Sequence, residues 1–455
     1  MSRVLVDSGI KWIGSLPNTW SITTVNKIFY RRKEVNDVEN PTVLSLARDG
    51  VKIRDISTNE GQLAESYDNY HKVYKDDLMI NPMDLISGAN CSLSEVEGVI
   101  SPAYINLAKK GNIYPKYYDY FFKYQYWINA MFIHGKGVSF DNRWTLNWET
   151  MSSYKLPLPS FEEQKKIANY LDKQSAKIDE IIRDNNKEIE LLNEYKLSEI
   201  EKSIFKGLNE NEQYIECRKK WVGKMNSKYE LIPIKYLKSK KKNAFVDGPF
   251  GSNLKSEHFI DNGDVYVIES GFISTGKFIF KDFKTISNEH FETIKRSECN
   301  EKDIIIAKIG ASYGMCAELP YLDKKSVVSG NSLKITLDNN KILNEIFVKE
   351  MQIAKNKGGF LELVNETAQP ALSLSGLNNF KLVVPPMEEQ VIIVKEINRI
   401  ETKIDEVIKY RRNIINSLEE YKRSLIYECV TGKREVQYGN SRKEFWRNHW
   451  KIFSY

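Results

Sequence analysis

The chain of 455 residues holds five cysteines, and they stand far apart, at Cys91, Cys217, Cys299, Cys316 and Cys429. Such spacing excludes a disulfide framework, and without a CxxC pair it excludes the common zinc ribbons. Histidine is as scarce. His71, His134, His258, His290 and His449 never approach a cysteine or one another at metal-ligand spacing, so no metal site is expected. Long apolar runs are missing too: stretches such as IIIA and VIIV fall far short of the ~20 residues that span a bilayer. The opening MSRVLVDSGIKW lacks the apolar centre of a signal peptide. A soluble, cytoplasmic protein without membrane contact is the expectation.

Neither charge sign dominates. Lys and Arg number 67 against 61 Asp and Glu, leaving +6, which suits a polyanionic partner but does not by itself require one. Apolar residues at 41% and aromatics at 12% exclude a disordered chain and supply cores for two to four domains.

What is present is a duplication. YKLPLPSFEEQKKIANYL from Tyr154 reappears as FKLVVPPMEEQVIIVKEI from Phe380, an offset of 226, and 17 of the 43 positions through Lys196 and Lys422 are identical. The same offset pairs DLMINPMDLISG (from Asp77) with DIIIAKIGASYG (from Asp303), and RWTLNW (from Arg143) with QPALSL (from Gln369). KWIG at Lys11 matches KWVG at Lys220 with the shorter offset of 209, so the second copy carries extra residues near its start. Each copy is too long for a solenoid repeat and should hold a domain plus a connector.

Each copy opens with short β-rich runs bounded by Gly, Pro and Asn. TVLSLARDGV, KDDLMINP, GVISPAYINL, VYVIES and KDIIIAKIG read as strands, whereas PKYYDYFFKYQYWINAMF and NEIFVKEMQIAKNK read as helices. Each opening is expected to form an α/β globule. The second part of each copy is helical. Ser160-x-x-Glu163 has the form of a capping box, Pro386 suits a helix start, and Gly207 and Gly432 are stop signals. In the second copy Ile393, Ile397, Ile400, Ile404, Val407, Arg411, Ile414, Leu418, Tyr421 and Leu425 alternate steps of four and three, the seam of a coiled coil. In the first copy Ile167, Leu171, Ile178, Ile181, Leu192 and Tyr195 fit that seam. Gln174, Asn185 and Glu188 interrupt it, and Ile182 and Ile189 suggest a shifted line. A helix from Phe161 to Phe205 would run about 67 Å. Its natural partner is the other copy, and the simplest pairing is antiparallel with the globules at opposite ends.

Chemistry is harder to find. GFISTGK, from Gly271, has the spacing of a phosphate loop, yet Phe278 stands where a magnesium-binding Ser or Thr belongs, and KFIFKDF reads as strand rather than helix. NPMD at Asn81 lacks the proline and aromatic that a flipped-base methyltransferase loop needs. No catalytic residue is assigned. Basic clusters suited to phosphates occur at Arg31, Arg32 and Lys33, and at Lys238, Lys240, Lys241 and Lys242. Candidates for base edges are Arg48, Lys52 and Arg54 in the first globule. In the second they are Ser252, Asn253 and Lys255, on the turn made by Gly248, Pro249 and Gly251, with Ser312, Tyr313 and Asn331.

Two unlike globules, the repeated (Y/F)KL-x-x-P-x-x-EEQ lead-in to a long helix, and the NPMDLISG and DGPFGSNLK segments resemble the specificity (S) subunit of type I restriction-modification systems. The likeness covers Lys11 to Lys433. It implies an α+β protein with target-recognition domains at 1–152 and 216–379, helical spacers at 153–215 and 380–433, and a basic aromatic tail at 434–455 that departs from the pattern. It implies double-stranded DNA as ligand, read as an asymmetric bipartite target, and docking of two adenine-N6 methyltransferase subunits and of restriction-translocase subunits. S-adenosylmethionine, ATP and magnesium would belong to those partners, with no cofactor on this chain. Three other readings remain open: a methyltransferase-nuclease fragment, a coiled-coil scaffold that binds no DNA, and the specificity part of a methylation-only system.

Overall fold

The computed structural model describes residues 3–47, 50–57, 64–83, 85, 91–135, 145–209, 211–249, 251–364 and 370–436. Arg48, Asp84 of NPMD, the side chain of Ser252 and the tail beyond Val436 lie outside the described residues. The chain divides into two compact units, one of residues 1–185 and 412–455 and one of residues 186–411. That division cuts through both long helices, so the spacers expected at 153–215 and 380–433 are shared between the units.

In the first unit the antiparallel sheet is built from Phe29–Arg31 (β1), Leu78–Ile80 (β2), Cys91–Leu93 (β3) and Ile105–Lys109 (β4), in the order β1-β4-β2-β3. Pro115–Trp127 (α1) begins with proline, whose missing N–H costs nothing at that position, and sinks Tyr117, Tyr118, Phe121 and Phe122 into the core. TVLSLARDGV forms not one strand but two, Leu44–Ala47 and Gly50–Ile53, paired with each other. Phe161–Lys206 (α2) follows.

The second unit repeats the plan with Phe245–Asp247 (β5), Ile304–Ala307 (β6), Cys316–Glu318 (β7) and Ser332–Ile335 (β8), ordered β5-β8-β6-β7. Asn344–Asn356 (α3) and Met387–Val430 (α4) complete it. Beside this sheet Val265–Ile268 runs parallel to Lys325–Val328. Part of the extra sequence of the second copy has a definite place. Lys238 still bridges Leu337, but regular pairing resumes only at Phe245, so the lysine-rich stretch between loops out of the edge strand. KFIFKDF is not a strand; only Lys284–Ile286 beyond it pairs, and Phe278 and Phe283 turn onto a small core with Phe272. Phe278 and Phe283 are needed for packing, which overrides the strand propensity of the run, while Phe280 between them is exposed.

Both units contain an antiparallel pair of segments from α2 and α4. In the first unit Lys422 Nζ lies 2.7 Å from Asp179; in the second Lys196 Nζ lies 2.6 Å from Asp405. These are the same pair with the helices exchanged, since each residue sits 226 positions from its counterpart. Ile167, Leu171, Ile178, Ile393, Ile397, Ile400, Ile404, Ile414, Leu418 and Leu425 are buried, with Ile181, Leu192 and Tyr421 partly so. Two seam residues are corrected. Tyr195 is 55% exposed and Val407 43% exposed, while Ile408 turns inward, so the step after Ile404 is four rather than three. Gln174 and Asn185 are buried in the seam rather than breaking it, Asn185 donating to the Ile181 carbonyl. Arg411 forms a 2.7 Å ion pair with Glu188 across the two helices.

The EEQ lead-in ties helices to globules. Gln164 accepts from the Tyr114 N–H at 2.8 Å and donates to the Pro159 carbonyl; Gln390 accepts from the Leu343 N–H at 2.8 Å and donates to the carbonyls of Lys341 and Pro385. Ser160 caps Glu163, but the Glu163 carboxylate does not complete the capping box. It accepts from the Trp20 indole at 2.8 Å, and in the second unit Glu389 accepts from the Tyr229 hydroxyl at 2.6 Å. Each aromatic also abuts the glycine that ends the other long helix, Gly432 beside Trp20 and Gly207 beside Tyr229.

Gly207 has φ +78°, and a Cβ there would stand 2.5 Å from the Tyr229 hydroxyl oxygen. Gly207→Ala is expected to cost about 1–3 kcal/mol, read by denaturant unfolding of the full chain. Glu350 on α3 is fully buried, and burial drives its pKa well above the usual carboxylate range, opposed only by the Val383 N–H. A raised folded-state pKa means stability is complete at low pH and falls as pH rises through that pKa. Unfolding measured against pH should show Glu350→Gln gaining on the wild type as pH rises above the ordinary glutamate range.

Candidate nucleic-acid interface

At one end of the β5-β8-β6-β7 sheet, three loops of the second unit are bonded together. The Gly248 N–H donates to the Ser332 carbonyl at 3.1 Å, Lys308 N–H to the Asn331 carbonyl at 2.9 Å, and Leu372 N–H to the Lys308 carbonyl at 2.9 Å. A Cβ on Gly248 would lie 2.0 Å from the Ser329 carbonyl oxygen, so only glycine lets the chain leave β5 here. These bonds gather the turn bearing Ser252 and Asn253, the loop bearing Ser312 and Tyr313, and Asn331. The turn is braced from behind. His290 Nε2–H donates to the Asn253 carbonyl at 2.9 Å, His258 Nδ1 accepts the Lys255 N–H at 2.9 Å, and the two imidazoles stack at 3.9 Å.

The candidates are not equally available. Asn253 and Asn331 are exposed and Ser312 is half-buried. Tyr313 is half-buried beneath the Lys355 ammonium, 3.1 Å from its ring, where burial lowers the pKa of that lysine. Lys255 lies 3.6 Å from Glu257. Lys240, Lys241 and Lys242 are exposed but sit before β5, whereas the turn follows it, so the lysines and the turn occupy opposite ends of that strand.

Sequence reasoning missed the charged centre of this loop cluster. Asp247, the last residue of β5, accepts from Arg296 at 2.7 Å and faces Lys308 Nζ at 3.6 Å; the Ser297 hydroxyl donates to its carbonyl at 3.0 Å. Asp247 opens the DGPFGSNLK segment, but nothing in its spacing points to a partner 49 residues away.

The first unit presents its basic cluster at the same end of the equivalent sheet, where β1 finishes. The Leu146 N–H bonds the Pro82 carbonyl at 2.8 Å, the counterpart of Leu372 and Lys308. Lys33 is exposed, and Arg31 is half-buried with its Nε unpartnered among the described residues. Burial, and then the charges of Arg31 and Lys33, lower the pKa of His71 and favour its neutral form. Arg32 is largely structural. It bonds the buried Asp77 carboxylate at 2.9 Å, which also accepts from Asn106 and the Tyr74 N–H, and its guanidinium lies over the Tyr74 ring. Asp303 fills the same role in the second unit, with Lys334 at 3.2 Å and Thr336 as partners. Lys52 and Arg54 belong to the separate hairpin after Leu44.

A family model, the type I restriction modification DNA specificity domain, matches residues 99–191 and 250–419, more than half of the chain. The chain belongs to this family. It is 22% identical over 376 residues to the type I restriction enzyme MjaVIII specificity subunit of Methanocaldococcus jannaschii, covering 80% of this chain and 82% of that one. It is 20% identical over 451 residues to the EcoBI specificity subunit of Escherichia coli, covering 96% and 91%. A chain from a solved type I R-M system, studied for complex assembly and conformational transition, shares the fold with a TM-score of 0.67 at 10% identity. That match covers 92% of this chain and 99% of the other. DNA sequence recognition is therefore this chain's part in a type I system, and specificity subunits of such systems are non-catalytic. Among the described residues no helix is long and apolar enough to cross a membrane.

The two kinds of basic residue separate experimentally. Arg32→Ala leaves the buried Asp77 charge uncompensated and should cost about 3 kcal/mol in denaturant unfolding. Lys33→Ala should leave stability unchanged within about 0.5 kcal/mol.

Proposed function

We propose that the chain reads an asymmetric, bipartite double-stranded DNA target, one half with the loop cluster of each unit. The observation that carries this reading is chemical inequality on a repeated frame. The same end of the same four-stranded sheet holds Arg31 and Lys33 in one unit and Asn253, Ser312 and Asn331 in the other. Identical readers would select a palindrome, whereas readers that differ at the same place select two different half-sites.

The long helices are the second support. Each has more than forty residues, and their side chains interlock through charged pairs that fix register. In this reading they set the number of base pairs between half-sites, making the second contact intramolecular. The same helices dock two adenine-N6 methyltransferase subunits, which flip the target base and use S-adenosylmethionine. ATP- and magnesium-dependent restriction subunits join that assembly. A methylation-only system would contain the same chain without them.

Lengthening both helices by one heptad, after Ile189 and Ile415, should change the permitted gap and leave both half-sites as they were, read by mapping N6-methyladenine. Altered half-sites would contradict the proposal. So would a wild-type complex that binds all duplexes equally, the behaviour expected of a scaffold.

A further inference from the structure

We infer that Arg296 is a base-reading residue of the second unit, donating to the edge of a guanine, and that Asp247 is its positioning residue. The inference rests on the DNA-reading function proposed above. Arg296 lies in the short turn Lys295–Ser297, next to the helix Asn288–Ile294 that braces the Asn253 turn through His290. Its side chain is 62% exposed, yet the guanidinium is fixed by a 2.7 Å charge-assisted bond to Asp247. An arginine used only for packing would be covered. Arginine with one edge of its fork held by a carboxylate keeps other N–H groups for two parallel bonds to guanine O6 and N7.

The carboxylate is itself immobile. Asp247 ends β5, its carbonyl accepts from Ser297, and the N–H of the following Gly248 is bonded to the Ser332 carbonyl at 3.1 Å. Lys308, whose side chain is 13% exposed, faces the other carboxylate oxygen at 3.6 Å. Asp247 thus meets a cation at each carboxylate oxygen, which holds it between them. Free arginine would have to lose rotamer freedom on binding; here that ordering is already present.

The test uses the full chain with its methyltransferase subunits and a library of randomised duplexes. For Arg296→Ala we expect one G·C position in one half-site to become degenerate and affinity for the cognate duplex to fall roughly 5- to 150-fold, the range of one bidentate pair. The salt dependence should stay unchanged. Arg296→Lys, which keeps the charge but lacks the fork, should fail to restore the guanine preference, and Asp247→Asn should weaken preference at that same position only. Thermal unfolding shows that the variants are folded. Retention of every base preference in Arg296→Ala overturns the inference, as does uniform weakening with a shallower salt slope, which marks a phosphate contact. A wild-type complex without sequence preference overturns instead the reading on which it rests.

Discussion

Two buried glutamine amides hold the rest of this protein in place. Gln164 and Gln390 sit one turn into the long helices, where each satisfies an otherwise unpaired N–H at the start of a globule helix and a carbonyl at the end of the preceding strand. A buried polar group left unpaired is expensive, so each amide fixes direction as well as contact: the long helix can leave its globule along only one line. Everything further along the helices inherits that line, including which residues face the seam.

Much of this was legible in sequence because it is periodic or repeated. The offset of 226 located the helices, and isoleucines at steps of three and four located the buried stripe from Ile393 to Ile404. Periodicity failed at Val407 and Tyr195. An α-helix does not repeat in seven residues without supercoiling, and here a step of four hands the seam to Ile408. Contacts between distant positions left no local mark. Trp20 and Glu163 meet across 143 residues, and Tyr229 and Glu389 across 160, so no local pattern pointed to either contact, and at Glu163 the capping-box pattern pointed elsewhere.

The candidate interface was only half legible for the same reason. A run such as Arg31-Arg32-Lys33 announces positive charge but cannot show that Arg32 serves a buried aspartate while its neighbours do not. Asp247 gave no signal, being an acidic residue where basic ones were sought. Its value appears only when the fold brings Arg296 and Lys308 to it.

The basic stretches also bear on solubility. β1 and β5 are outer strands, each with one side of its backbone unpaired within its sheet. Unpaired backbone of this kind invites a foreign strand, and charge placed beside it is the usual deterrent. Arg31-Arg32-Lys33 at the finish of β1, and Lys240-Lys241-Lys242 looping out ahead of β5, set positive charge at both borders. Neutralising either stretch to weaken DNA binding would thus expose a sticky border, and the resulting clumping would masquerade as lost affinity.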